Sequence, residues 1–176
     1  GLISVDAGDT FTPLGQFFLA LLIQVGGLGL TSISAGIILA MGKKLNLKSR
    51  NLIREASNLN SNSGAVRFVR SVLFTTLVFE LVGVLLSFLV FVHDYPPLKA
   101  LWISVFHSVA AFNNSGFDIL GNFQNLIPYR NNVMLNLVTC GLIFFGGIGF
   151  LVIREIWQYK LKWKKYSMHT KVVLSV

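Results

Sequence analysis

The sequence is poor in charge: Asp, Glu, Lys and Arg make up 12% of its 176 residues, where about a quarter is usual for a soluble domain. Beside 53% hydrophobic residues, that scarcity excludes an ordinary cytosolic enzyme. Cysteine is almost missing as well. Cys140 is the one thiol, so no internal disulfide is available, and no Cys/His spacing suits a bound metal. No basic n-region and cleavage site precede the first apolar run, so it does not read as a signal peptide. Acids are also few, 7 against 15 Lys and Arg, which leaves a formal charge of +8.

What the chain has instead is long uncharged stretches. Residues 10 to 42 form a run of 33 without a charge, and residues 131 to 153 another of 23. Each exceeds the ~20 apolar residues needed to cross a bilayer. Seven basic residues (Lys43, Lys44, Lys48, Arg50, Arg54, Arg67, Arg70) lie between the first two apolar runs, and six more (Arg154, Lys160, Lys162, Lys164, Lys165, Lys171) follow the last. Nucleic-acid binding would want aromatics interleaved with those cations in a folded module, and neither pattern is present. The positive-inside rule accounts for both clusters and puts them on the cytoplasmic face of the cell membrane.

Three spans follow from hydropathy: residues 13–41, 71–92 (interrupted only by Glu80) and 131–153. Residues 100–117 form a fourth uncharged stretch of 18. Counting it as a span would place the two basic clusters on opposite sides of the membrane, so it is expected to enter and leave from outside. Pro96-Pro97 can open a helix there, because a first turn loses nothing by lacking an N–H. The 15 residues 98–112 would reach about 22 Å, too short to cross. They run into Asn113-Asn114-Ser115-Gly116, which favours turns. Non-helical backbone at that depth is tolerated only where protein buries it or it lines a cavity. The fold class expected is therefore an all-α membrane protein of helix, re-entrant pore loop, helix repeats, like a potassium channel.

A repeat supports this. Val25-Gly26-Gly27-Leu28-Gly29-Leu30 and Phe145-Gly146-Gly147-Ile148-Gly149-Phe150 match at an offset of 120, and Gly1-Leu2 can be laid on Gly116-Phe117 at 115. The chain reads as a piece of a longer polypeptide. Residues 1–42 are a filter end and second helix of a first repeat, 43–70 a basic cytoplasmic loop, and 71–153 a complete second repeat with its filter at 113–117. Residues 154–176 are a basic cytoplasmic linker and the start of the next helix. A cation shedding water there needs oxygen ligands, and the backbone carbonyls of Asn113, Asn114, Ser115 and Gly116 can supply them. Gly116 lets the backbone take positive φ and approach an ion closely. The negative end of the helix dipole at residue 112 favours a cation over an anion.

The stretch from Ser104 to Asp118, with Gly-Gly-Ile-Gly at 146–149, resembles the second pore repeat of the Trk/Ktr/HKT superfamily of potassium transporters, nearest to bacterial Ktr membrane subunits. The resemblance covers nearly the whole chain. It implies potassium transport, with sodium as the rival ion, through four repeats in one polypeptide. It further implies a homodimer, a cytosolic nucleotide-binding RCK ring, and filter residues Gly1, Asn113, Asn114, Ser115, Gly116 and Phe117.

Other features carry two readings each. Asn113-Asn114-Ser115 also fits a glycosylation site or an everyday turn. The Gly-Gly-x-Gly motifs read as close helix packing, Gly147 included, because no strand precedes them as a nucleotide-binding motif would require. Glu80, the one acid within a span, is either a packed, hydrogen-bonded group or an electrostatic one near the pore. His107 reads as a hydrogen-bonded core histidine, and Asp118 as a loop cap or a cation attractor at the mouth. Trp102, Trp157 and Tyr159 suit an interfacial belt. An intramembrane protease has no Ser/His pair, paired aspartates or zinc motif within a span to work with. A secondary transporter would need inverted repeats, whereas these two copies run in one orientation.

Overall fold

The computed structural model describes residues 4–29, 62–159 and 166–175. Gly1, the second half of the first apolar run, the basic loop from 43 to 61 and the lysines at 160–165 lie outside the described residues. The described elements are helices α1 (Ala7–Thr10), α2 (Pro13–Leu28), α3 (Asn62–Phe91), α4 (Pro97–Phe112), α5 (Val133–Gly147), α6 (Phe150–Tyr159) and α7 (Met168–Ser175), with a 3-10 turn at Ile127–Tyr129. No strand occurs among the described residues.

Local chemistry sets the starts. Thr12 caps α2, its hydroxyl accepting the Gly15 N–H at 3.3 Å, and Pro13 opens the first turn. Pro97 opens α4 in the same way, and Asn132 caps α5 by accepting the Leu135 N–H at 2.9 Å. Helix α3 holds the one described stretch long and apolar enough to cross a membrane, Val69–Phe91 with 23 residues. The helix begins at Asn62, so residues 62–70 are helical where a loop was expected. No proline intervenes, and an established helix adds a bond for each further residue it orders.

The third apolar run departs from expectation more sharply. One helix over 131–153 is expected, yet α5 ends at Gly147 and α6 begins at Phe150. Gly149 between them has φ +87°, a left-handed conformation that costs a residue with a Cβ roughly 1 kcal/mol or more. In the first apolar run α2 ends at Leu28, and Gly29, the matching glycine 120 positions earlier, has φ +79°. The third glycine of each Gly-Gly-x-Gly motif therefore ends a helix. The helices before them, 16 and 15 residues long, reach only about 24 and 22 Å.

Helix α4 is central, packed against α3, α5 and α2. Nine of its sixteen residues are buried, against Leu135 and Leu142 alone on α5. Phe106 and Ile103 pack with Phe91 and Leu135, while Phe112 stacks on Phe79 with ring centres 5.9 Å apart. A helix enclosed on several sides must satisfy its own polar groups. Ser104 donates to the Ala100 carbonyl and Ser108 to the Glu80 carbonyl, each at 2.7 Å. His107 Nε2 lies 3.0 Å from Thr139 Oγ1. The Thr139 hydroxyl proton already goes to the Leu135 carbonyl at 2.7 Å, so the imidazole must be the donor in this pair, which fixes its tautomer. His107 is the core histidine expected from its position.

At one end of the bundle two distant loops are stitched together. Asp6 caps α1, accepting the Gly8 N–H at 2.7 Å, and also accepts the Phe123 N–H at 2.5 Å. Asp9 accepts the Asn122 N–H at 2.7 Å. Asn122 and Phe123 have φ of 56° and 51°, so the carboxylates hold a backbone that would otherwise relax. Asp6→Ala in the whole protein should cost about 2 kcal/mol, the scale of lost bonds to a buried charged acceptor. The drop in melting temperature should come with faster amide exchange at 122 and 123. Unchanged exchange at those amides would show that the loop holds itself.

Candidate functional site

The turn leaving α4 is built by backbone bonds. The Asn114 N–H donates to the Ala111 carbonyl at 3.1 Å and the Ser115 N–H to the Ala110 carbonyl at 2.9 Å, with Asn114 at φ 55°. That pair is a Schellman end, in which asparagine takes the place glycine commonly holds. Two residues later Gly116 has φ +75°, a second reversal within three residues. The Ser115 hydroxyl lies 3.3 Å from the Ala110 carbonyl and 3.4 Å from the Phe117 N–H. Among the described residues no hydrogen bond ends on a carbonyl oxygen of residues 113 to 117. Five consecutive acceptors are thus left for another partner.

The side chains of the two asparagines do different work. Asn113 Nδ2 donates to Val109 O and Gln24 Oε1, each at 2.9 Å, and lies 3.3 Å from Glu80 Oε1. Asn114 is exposed, and its amide reaches the Phe112 and Ile143 carbonyls only at 3.4 Å. Asp118 closes the turn beyond the segment, accepting the Leu120 N–H at 3.0 Å. Burial pushes its carboxyl above the ordinary carboxylate range, the Leu120 N–H pulls it back, and the charge of Asp6 pushes it further up.

The glycine motifs flank this turn. A Cβ on Gly27 would run into the Asn113 side chain, and one on Gly146 into the Phe112 carbonyl, whose carbon would stand at 2.8 Å. Gly147 has only Asn114 Nδ2 near such a Cβ, at 3.8 Å, so the packing role expected of Gly147 belongs to Gly146. Trp102 also has more to do than sit at an interface. Its indole N–H donates to Gln16 Oε1 at 2.8 Å, tying α4 to α2.

Sequence reasoning placed residues 113–117 at a helix end and missed what holds them there. Gln24, Gln16, Asp6 and Asp9 carry no periodic signal. Glu80 alone, as an acid in an apolar helix, pointed toward a hidden partner. Gly1 lies outside the described residues.

Comparisons with known proteins give the family. The chain matches the TrkH family, described as cation transport protein, over residues 1–175. It is 35% identical over 176 residues to the potassium/sodium uptake protein NtpJ of Enterococcus hirae, covering 100% of this chain and 38% of that protein. It is 36% identical over 175 residues to the Ktr system potassium uptake protein B of Bacillus subtilis, covering 99% of this chain and 39% of the relative. The Ktr system potassium uptake protein D of the same organism is 37% identical over 176 residues, covering 98% of this chain and 39% of that protein. The chain thus spans about two fifths of the length of the curated relatives it matches. A match along nearly the full sequence leads to one conclusion: the chain belongs to the TrkH family of cation transport proteins.

Proposed function

We propose that this chain forms part of a membrane protein that takes up potassium through a pore, and that residues 113–117 are one of its selectivity filter segments. The supporting observation is the five carbonyls of residues 113–117, unpaired among the described residues and placed directly after the C-terminal end of a helix too short to cross. Backbone oxygens can replace the hydration shell of a monovalent cation, and the helix end adds about half a negative charge toward the same place. Helix α4 and the segment after it act as a re-entrant pore loop between α3 and the α5–α6 pair. Residues 4–29 belong to the preceding repeat. Potassium binds through the carbonyls of Asn113, Asn114, Ser115 and Gly116, with Phe117 completing the segment and Gly1 in the corresponding place of the first repeat.

The remaining repeats of the same polypeptide complete the path, and the whole protein works as a multi-pass homodimer on a cytosolic RCK ring. The basic residues at 43–70 supply docking charge for that ring or for anionic lipid. A relative named for both potassium and sodium favours one second reading, a mixed potassium/sodium pathway with the same filter.

Two measurements on the full-length protein test this. In proteoliposomes, potassium uptake should persist in excess sodium, whereas equal competition by sodium supports the mixed pathway. In a Cys140→Ser background, cysteines placed at Tyr95 and at Gln124 should both label with an impermeant reagent from outside. Labelling from opposite faces would make residues 97–112 part of a full span and remove the pore loop.

A further inference from the structure

The carboxylate of Glu80 is unused by the filter itself, yet it sits at the first residue of that segment. Asn113 caps α4, and its side-chain amide has two protons for three acceptors: Val109 O at 2.9 Å, Gln24 Oε1 at 2.9 Å and Glu80 Oε1 at 3.3 Å. One proton is committed to the helix carbonyl, so Gln24 and Glu80 share the other. The Asn113 amide thus joins a glutamine of α2 and a glutamate of α3 at the end of α4. The Asn113 side chain is clamped in place on two sides. The missing side chain of Gly27, one turn beyond Gln24, leaves the notch that the Asn113 amide fills. The Glu80 backbone carbonyl accepts the Ser108 hydroxyl at 2.7 Å, so α3 and α4 cannot slide past each other at this level without breaking that bond.

We propose that Glu80 and Gln24 are positioning residues that set the ion preference of the 113–117 segment from outside it, by fixing the side chain of Asn113 at the segment's first residue. The inference rests on the reading of 113–117 as a filter. Three separate stretches of chain meet here: a helix of the first repeat, the long helix of the second, and the end of α4. The preference of one repeat's filter therefore depends on a residue of its neighbour. The Asn113 amide is held by acceptor oxygens at fixed places, so the position of the Glu80 oxygen matters more than its charge.

The test uses the full-length protein in proteoliposomes, reading potassium uptake against sodium competition, with the potassium KM and the melting temperature of each variant. Glu80→Leu keeps the bulk and removes the acceptor. It should lower the potassium to sodium preference about tenfold and raise the potassium KM, as expected for one lost hydrogen bond. Gln24→Leu should do the same from the neighbouring repeat. Glu80→Gln retains an acceptor oxygen and should stay within about threefold of the parent. A merely structural role would move the melting temperature of the leucine variants and leave the ion preference alone, which overturns the proposal. If Glu80→Gln loses as much preference as Glu80→Leu, charge and not position is at work, and the proposal also fails. Should Glu80→Leu not insert, Gln24→Leu decides by the same criterion. Gly116→Ser, measured alongside, separates the two levels: if it abolishes preference while the Glu80 and Gln24 variants do not, the filter reading stands and this inference falls. If Gly116→Ser changes nothing either, both fall.

Discussion

Gly116→Ser, made in the full-length protein, should insert, purify and melt close to the parent while losing at least tenfold in its preference for potassium over sodium. The reason is the φ of +75° at this residue, two positions after Asn114 at 55°. Serine pays on the order of 1 kcal/mol to stay left-handed, and relief comes from rotating the adjoining peptide units. Gly116 is exposed and outside the helix, so the rotation breaks no helix hydrogen bond and disturbs little packing. It does turn the carbonyls on either side, and coordination of a dehydrated ion depends on their number and placement. A shift worth 1.4 kcal/mol between two ions is already tenfold. Uptake and ion preference both unchanged would mean that the coordinating carbonyls are not those of residues 113–117.

Gly146→Ala should have the opposite character. Its new Cβ would land on the carbonyl of Phe112, the last residue of α4, where both colliding groups belong to rigid helices. No flexible side chain can swing away, so α4 and α5 must separate, at a cost of about 2 kcal/mol or more for overpacking. The expected result is poor yield and a lowered melting temperature, measured in detergent by fluorescence. Gly147→Ala, one residue on, meets only Asn114 Nδ2 at 3.8 Å, and Gly26→Ala meets nothing within 4 Å. Both should behave like the parent. Equal damage from all three would show that helix flexibility, and not the close approach at Phe112, is what these glycines supply.

The contrast between those glycines marks where sequence legibility ended. Motif matching found the Gly-Gly-x-Gly pair and its offset because a repeat is visible without geometry. Which glycine touches a neighbour is a matter of helix rotation, and the two copies differ: Gly27 faces the Asn113 side chain, while Gly146 faces the Phe112 backbone. The short helix before residue 113 was legible to within one residue, since Pro96-Pro97 and Asn113-Asn114 carry strong boundary chemistry. The break in 131–153 was not, because hydropathy cannot distinguish a glycine inside a helix from one at φ +87°. The side-chain bonds of Asn113 join residues 33 and 89 positions apart, and a single sequence gives no sign of such pairings.

The stitch made by Asp6 and Asp9 has a bearing on how the protein is built during synthesis. Its bonds join residues 113 and 117 positions apart, across the two apolar runs that the ribosome delivers between them. It cannot form until residues 122 and 123 have been made, so until then Asp6 has only its cap of α1 to hold. Long-range closures of this kind come late in folding, because the intervening chain must be ordered before the contact returns anything. Protection of the amides at 122 and 123 is therefore a clock for assembly: it should appear only once the segment at 6–9 and the loop at 122–123 have met.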